Sequence, residues 1–368
     1  MSRKLGLDSQ GRVVYIDHFP NQAQPKTGLG KLDALLKGGK PTVLVRRSIG
    51  GIGDMLMLTP TLKAIKKQYD ANITVATDSK YLEGSLIKVL HNNPNIDNII
   101  EWDESKPTDY ATFIDLTCPC APYEKPQEPH PTNRVDIFAK HAGIKLPLED
   151  TRLDYFVTPQ EQKWAQQWLE ERKLHRKKLI VVQGNSSTTR RDMPALPLQK
   201  ALSNITQRNK NIGIIAILHS KNSPDNWRLD FIHQMINFDI RNIAAIVERA
   251  EVVVAPDSAI LHVAAAMKKK TLTLFGPTDP RARVNYHPEA IAIDGSYNLR
   301  CGNCWFAPCC ANYACWKQIK PEMIVTPLNG LLNNTQIEYE PWYVHYGNLI
   351  NNNVKHTNIV SNNLFEVL

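Results

Sequence analysis

The chain has 368 residues, 42% of them hydrophobic and 22% charged, which is enough apolar matter for a real core and enough length for two domains. Its formal net charge of +8 favours anionic partners (nucleotides, phosphorylated glycans, acidic membrane surfaces, nucleic acid) without choosing among them. No apolar run is long enough to cross a bilayer, and the polar stretch Met1 to Gln10 lacks the core of a secretion signal, so a cytoplasmic protein is expected.

Residues 1–41 read as an N-terminal extension whose one strand candidate is "VVYIDHF". A βα pattern starts at residue 42. Val43 to Val45 form a buried strand, Ser48 to Gly53 a glycine-rich turn, and Asp54 to Gln68 a helix with Leu58, Leu62 and Ile65 on one face. "NITVAT" follows as a strand, "YLEGSLIKVL" as a helix, and "NIDNIIEW" and "YATFIDL" as two more strands. The proline-rich "TCPCAPYEKPQEPHPT" is a long loop, and "NRVDIFAKHAGI" a helix ending at Gly143.

After a linker around "KLPLEDTRLDYFVTPQ" the pattern repeats. "PQEQKWAQQWLEER" is helical, "KLIVVQG" a strand running into the loop "NSSTTRRDMPALP", and "IGIIAIL" a strand. "IRNIAAIVERA" and "DSAILHVAAAM" are helices, while "EVVVAP" and "KTLTLFGPTDP" are strands with exit loops. Alternating strands and helices predict parallel sheets with helices on both faces. The expected fold is therefore α/β, two Rossmann-like doubly wound domains spanning residues 42–155 and 156–330. Residues 331–368 complete the chain as a helix near "EYEPWYVHYGNLI" and an Asn-rich tail.

Three segments carry chemistry, each at the C-terminal end of an expected strand, where open parallel sheets bind ligands. In "RRSIGGIGDMLMLTP", Gly51 and Gly53 let a ligand approach the backbone, and Asp54 either caps the helix or works in the cleft. In "APDSAILHVAAAM", Asp257, Ser258 and Ala259 open a helix whose first amides suit a diphosphate. His262 lies one turn further on, as a site residue or as a packed core histidine. In "QGNSSTTRRDMP", the hydroxyl of Thr188 and the guanidinium groups of Arg190 and Arg191 would neutralise charge building on a leaving phosphate; otherwise this is a polar loop.

Seven cysteines are unevenly spread. Cys118 and Cys120 form one pair, and Cys301, Cys304, Cys309, Cys310 and Cys315 crowd into one short segment. In a reducing compartment such crowding reads as metal binding before disulfides, with four of the five holding zinc or iron in a structural site, or else as a packed reduced cluster.

The segments "VLVRRSIGGIGDMLMLTPTLKAIKKQY", "NRVDIFAKHAGI", "APDSAILHVAAAMKKKTLTLFGPTDP" and the C-x2-C-W step, in that order, resemble glycosyltransferase family nine, the heptosyltransferases of lipopolysaccharide synthesis and their relatives. The resemblance covers residues 42–325 and implies a GT-B fold with an inverting transfer from an ADP-activated sugar, typically heptose, without a catalytic metal. It makes Asp54 the general base and Arg191 the cation at the donor phosphates. Asp257 and His262 match the family's D-x-G-x-x-H pattern, and Gly276, Pro277 and Thr278 the FGPT step. Arg134, in the second matching segment, goes with the acceptor side. The chain departs from the pattern at Ala259 for glycine, Met193 for tryptophan and Arg191 for lysine. The cysteine segment is similar to that of the iron-binding branch that modifies autotransporters, which sets a protein acceptor beside a lipopolysaccharide core sugar. A phage-type enzyme acting on modified DNA bases ranks behind both, because no aromatic-basic stripe accompanies the charge. A non-catalytic nucleotide-sugar-binding module and a metal-organised structural protein are the rivals from other classes, and a homo-oligomer is left open.

Overall fold

The computed structural model describes residues 4–7, 13–16, 40–48, 50–117, 120, 123, 132–219, 227–301, 304–305, 310, 312–335, 337 and 343–345. A hairpin comes first, β1 (Lys4–Leu7) antiparallel to β2 (Val13–Ile16). The first apolar run is β3 (Thr42–Arg46), whose Val43, Leu44 and Val45 are buried on both faces, as a parallel strand between helical layers requires. With β4 (Asn72–Thr77), β5 (Asn98–Glu101) and β6 (Thr112–Asp115) it builds a parallel sheet of order β5-β4-β3-β6.

Between β3 and β4 runs helix α1 (Ile52–Tyr69), which carries Pro60 in its interior. Proline has no N–H for the Leu56 carbonyl one turn back, and the Thr59 hydroxyl donates to that carbonyl at 2.7 Å. The same Thr59 oxygen accepts the Asp154 N–H at 2.9 Å, which pins the linker to the helix at the proline. The helix expected over "YLEGSLIKVL" is shorter. Leu82 and Glu83 take left-handed φ of 50° and 56°, leaving a 3-10 turn and then α2 (Ser85–Lys88). Helix α3 (Arg134–Ala142) starts where Asn133 accepts the Val135 N–H at 2.9 Å and ends in left-handed Gly143.

Past the linker, α4 (Pro159–Glu171) starts from a Thr158–Glu161 capping box. The second sheet uses β7 (Lys178–Gln183), β8 (Ile212–Leu218), β9 (Ile232–Ile236), β10 (Val252–Pro256), β11 (Lys270–Phe275), β12 (Ala290–Asp294) and β13 (Tyr343–His345). Its order is β13-β12-β11-β10-β7-β8-β9, parallel throughout except for β13 at the edge. Among its helices are α5 (Ala195–Arg208), α6 (Ile240–Glu248) and α7 (Ala259–Ala266), followed by the short α8 (Arg281–Val284) and α9 (Ala314–Gln318) and then α10 (Pro321–Asn333). The segment expected as a final helix is a strand at residues 343–345, since its backbone pairs with β12, Tyr343 lying opposite Ile293; its other residues lie outside the described ones. Strands β9 and β12 and helices α5 and α10 were not among the expected elements.

One apolar cluster runs from the first sheet through α1 and α3 into one face of the second sheet, and α1 packs directly on α7. A second cluster fills the opposite face of the second sheet under α5 and α10. The two sheets thereby face each other through the N-terminal ends of α1 and α7.

Candidate active site

Each sheet reverses its winding once. In the first, β3 lies between β4 and β6; in the second, β7 lies between β8 and β10. At such switch points the exit loops diverge and leave a crevice at the strands' C-terminal ends. Both crevices are lined with charge.

At the first, Gly50 takes a φ of +132°, and a Cβ there would meet Arg47 Nη2 at 2.6 Å and Asp54 Oδ2 at 2.9 Å. Only glycine lets the turn close over that pair. Asp54 lies in the first turn of α1, where its Oδ2 accepts the Gly51 N–H at 2.8 Å, so it does cap the helix. It is also buried between two arginines: Arg47 Nη2 is 3.2 Å from Oδ2, and Arg134 Nη1 pairs with Oδ1. Burial alone would raise the Asp54 carboxyl. The charges of Arg134 and Arg47, helped by the Gly51 amide, override it and hold the group far below the usual carboxylate range. Arg47 is itself fixed, donating to the Leu116 carbonyl and lying 4.7 Å from the Phe138 ring centroid.

At the second crevice, the Ser258 hydroxyl donates to Gln183 Oε1 at 2.6 Å, tying β10's exit to β7's. That leaves the N-terminal amides of α7 without a cap from the Ser258 side chain. Asp257 Oδ2 lies 3.2 Å from Arg191 Nη1 and 3.4 Å from Arg283 Nε. Burial opposes its ionisation, yet Arg283 and Arg191 hold it well below the carboxylate range. His262 is buried and pushed down to about 4, chiefly by burial, so its imidazole is neutral at neutral pH.

The two crevices are one site. A Cβ on Gly53 would run into the His262 ring, so the turn into α1 sits directly on α7. Both Asp54 and Asp257 contribute to the field at His262, and Arg134, from the first half, contributes to that at Asp257. Arg47, Arg134, Arg191 and Arg283 thus confront two carboxylates with a neutral histidine between them, leaving an excess of positive charge suited to a diphosphate. Among the described residues, Arg191 Nε and Thr278 Oγ1 are buried with no hydrogen-bond partner, as expected of donors awaiting a polar ligand.

The remaining expected residues are placed as follows. Ala259 opens α7, and Gly276, Pro277 and Thr278 form a buried turn leaving β11. Thr188 is exposed, its N–H bonded to Ser186 Oγ at 3.2 Å. Arg190 gives its guanidinium protons to the carbonyls of Cys304 at 2.7 Å and Trp305 at 3.3 Å. Met193 is buried in the second core.

Cys304 is buried, Cys310 half-buried and Cys301 exposed; slight desolvation and the neighbouring Cys310 and Cys304 raise the Cys301 thiol. Cys315 is buried in the second core beside Trp316 and Ile319. Cys118 and Cys309 lie outside the described residues, and Cys120 is buried in the first half. Among the described residues no three His, Cys, Asp or Glu side chains are arranged to hold a metal. Nor is any described helix long and apolar enough to cross a membrane.

Arg47, Arg283 and Gln183 were not among the expected site residues, and Trp305 entered only as the last residue of the C-x2-C-W step. Arg47 follows a strand beside the glycine turn and was legible as a basic neighbour of Asp54. Arg283 sits 26 positions beyond its partner Asp257, and no local pattern marks it.

The sequence profile described as glycosyltransferase family 9 (heptosyltransferase) matches residues 121–312, just over half of the chain and beginning after the Asp54 turn. No curated protein matches the chain closely by sequence. Among solved structures, the glycosyl transferase family 9 protein of Veillonella parvula is similar at a TM-score of 0.63 and 16% identity, over 80% of this chain and 98% of that one. The ADP-heptose lipopolysaccharide heptosyltransferase II of E. coli gives 0.53 and 14%, over 80% and 99%. The iron-containing dodecameric glycosyltransferase TibC of E. coli H10407 gives 0.59 and 10%, over 80% and 76%, and TibC has also been solved with ADP-D-β-D-heptose. At these identities the likeness shows the fold, the two-sheet GT-B arrangement.

Proposed function

The chain belongs to glycosyltransferase family 9, and from that membership we propose that it moves a heptose from an ADP-activated donor onto a hydroxyl of a glycan or protein, inverting the anomeric carbon. One observation carries the reading: a carboxylate at the first switch point and an arginine-rich phosphate cradle at the second are brought together where Gly53 packs on His262.

The half formed by residues 156–330 takes the donor. Its diphosphate lies against Arg191 and the first amides of α7, where a fixed cation and a helix N-terminus favour the charge that builds on the leaving ADP. The half formed by residues 42–155 takes the acceptor. Its hydroxyl reaches Asp54 by displacing Arg134 from Oδ1; the released carboxylate takes the proton as the oxygen attacks the anomeric carbon from the face opposite the diphosphate. The freed guanidinium remains in the cleft beside the departing phosphate. Neutral His262 packs under Gly53 and holds the two halves at a fixed spacing. A lipopolysaccharide core sugar and a protein side chain serve this geometry equally, because Asp54 meets only the hydroxyl.

The crowding of Cys301, Cys304, Cys309, Cys310 and Cys315 in the sequence supports a structural iron or zinc held by four of them, although the described members are not arranged as a metal site in this structure; four thiolates would leave no open position for substrate. Such thiols imply a reducing, cytoplasmic setting. Metal analysis of protein purified without added metal tests this part.

Thermal shift against ADP, UDP, GDP and their sugars tests the donor. A ligand of the folded state at about a hundred times its Kd adds about 2.7 kcal/mol, so ADP and ADP-heptose should raise Tm by several degrees. No response to ADP, or a larger one to UDP, would contradict the assignment.

A further inference from the structure

Arg191 is held from an unexpected side. Its guanidinium carbon lies 4.6 Å from the centroid of the Trp305 ring, which belongs to the cysteine-rich segment rather than to either switch-point loop. That segment also grips Arg191's neighbour. The Cys304 and Trp305 carbonyls accept from Arg190, and Trp316 Nε1 donates to the Arg190 carbonyl at 2.8 Å. The loop between β7 and α5 is therefore fastened to the segment through the backbone on one side of Arg191 and through a ring face beneath it. Arg191's other attachments, Ser187 Oγ at 2.6 Å and Asp257 at 3.2 Å, use its terminal nitrogens, and Nε is buried without a hydrogen bond. Two end contacts fix where the guanidinium sits; a flat face under it fixes how its plane is tilted. Tilt decides whether Arg191 meets a diphosphate with two parallel N–H groups or with one.

We propose that Trp305 is a positioning residue for the donor: its indole face sets the plane of the Arg191 guanidinium, making the cysteine-rich segment a wall of the nucleotide-sugar site. The inference rests on the donor role given to Arg191 above. It predicts that changes in this segment alter donor affinity before they alter the acceptor side.

The test uses the full chain and calorimetric titration with ADP, which needs no acceptor, beside steady-state kinetics. A cation–π contact contributes enough that Trp305→Ala should weaken ADP binding about threefold to thirtyfold and raise KM for the donor more than it lowers kcat. Trp305→Phe keeps a ring and should recover most of the affinity. Trp305→Leu fills space without a π face and should behave like alanine. In an Arg191→Ala background the Trp305 changes should add almost nothing, which a merely structural tryptophan would not obey. ADP binding by Trp305→Leu at the wild-type level, or a full additional loss in the Arg191→Ala background, would overturn the proposal while leaving the donor reading intact. Wild-type protein that binds no ADP would overturn the donor reading and this proposal with it.

Discussion

A group that takes a proton in catalysis works best with a pKa near the working pH, and Asp54 is held far from that. Arg134 is the largest charge acting on it and arrives from another helix, so in the proposed transfer the acceptor hydroxyl and the guanidinium would compete for one oxygen. In Arg134→Gln that charge is gone while burial still pushes the carboxyl up, so its pKa should rise. The sign follows directly: wild-type kcat/KM should show no acid limb from Asp54 down to the lower end of the carboxylate range, whereas Arg134→Gln should lose activity as pH falls from a higher value. Superimposable pH profiles would contradict the clamp. Asp54 and Asp257 were legible from sequence because each follows a strand at the head of a helix. Arg134 and Arg191 were named through the resemblance, but the pairing was not legible: Asp54 meets Arg134 across 80 positions, and only the fold brings them together.

At the scale of elements, α1 shows how a helix keeps a proline. Pro60 removes one hydrogen bond, and Thr59 repairs the loss by donating to Leu56 while accepting from Asp154. Thr59→Val should leave both the Leu56 carbonyl and the Asp154 amide unsatisfied and cost about 1–3 kcal/mol, read as a lower urea midpoint with an unchanged m value. A midpoint within error of wild type would show that Thr59 does not carry the repair. Continuous apolar runs such as "LIVV" and "VVVA" announced the strands because both faces of a parallel sheet are covered. Strand β9, "IHQMI", escaped because its burial is intermittent. Strand β13 escaped because three residues at a sheet edge carry almost no periodicity, and a helix was expected there. Helix α5 did carry the signal, Leu198, Ala201, Leu202 and Ile205 at helical spacing, behind a proline-rich loop that masked its start.

At the scale of the molecule, the halves are joined by α1 on α7 and by polar contacts around the rim, Lys88 with Asp239 at 2.5 Å and the Tyr286 hydroxyl with Asp136 at 2.7 Å. Two buried histidines, His262 at the cleft and His287 behind β11, are both pushed down to about 4, mainly by burial. An unfolded chain binds protons at these groups near 6.5, so between about 6.5 and 4 it holds more protons than the folded one, and stability falls as pH drops. Each contributes a slope of about 1.4 kcal/mol per pH unit in that window, and Tm should decline there before the ion-paired carboxylates titrate. A flat Tm from pH 6.5 to 4.5 would contradict the burial of neutral imidazoles. The two-sheet architecture was legible from the repeated βα pattern, and the family resemblance implied that the two halves face each other across a cleft; the particular contact that joins them, Gly53 against His262, was not legible because it is made between halves. The most direct test of that meeting is turnover of ADP-heptose with acceptor by Asp54→Asn beside its ADP affinity. The account predicts a loss of about a hundredfold to ten-thousandfold in turnover with ADP bound as tightly as by wild type. Wild-type turnover from a folded Asp54→Asn protein would contradict it.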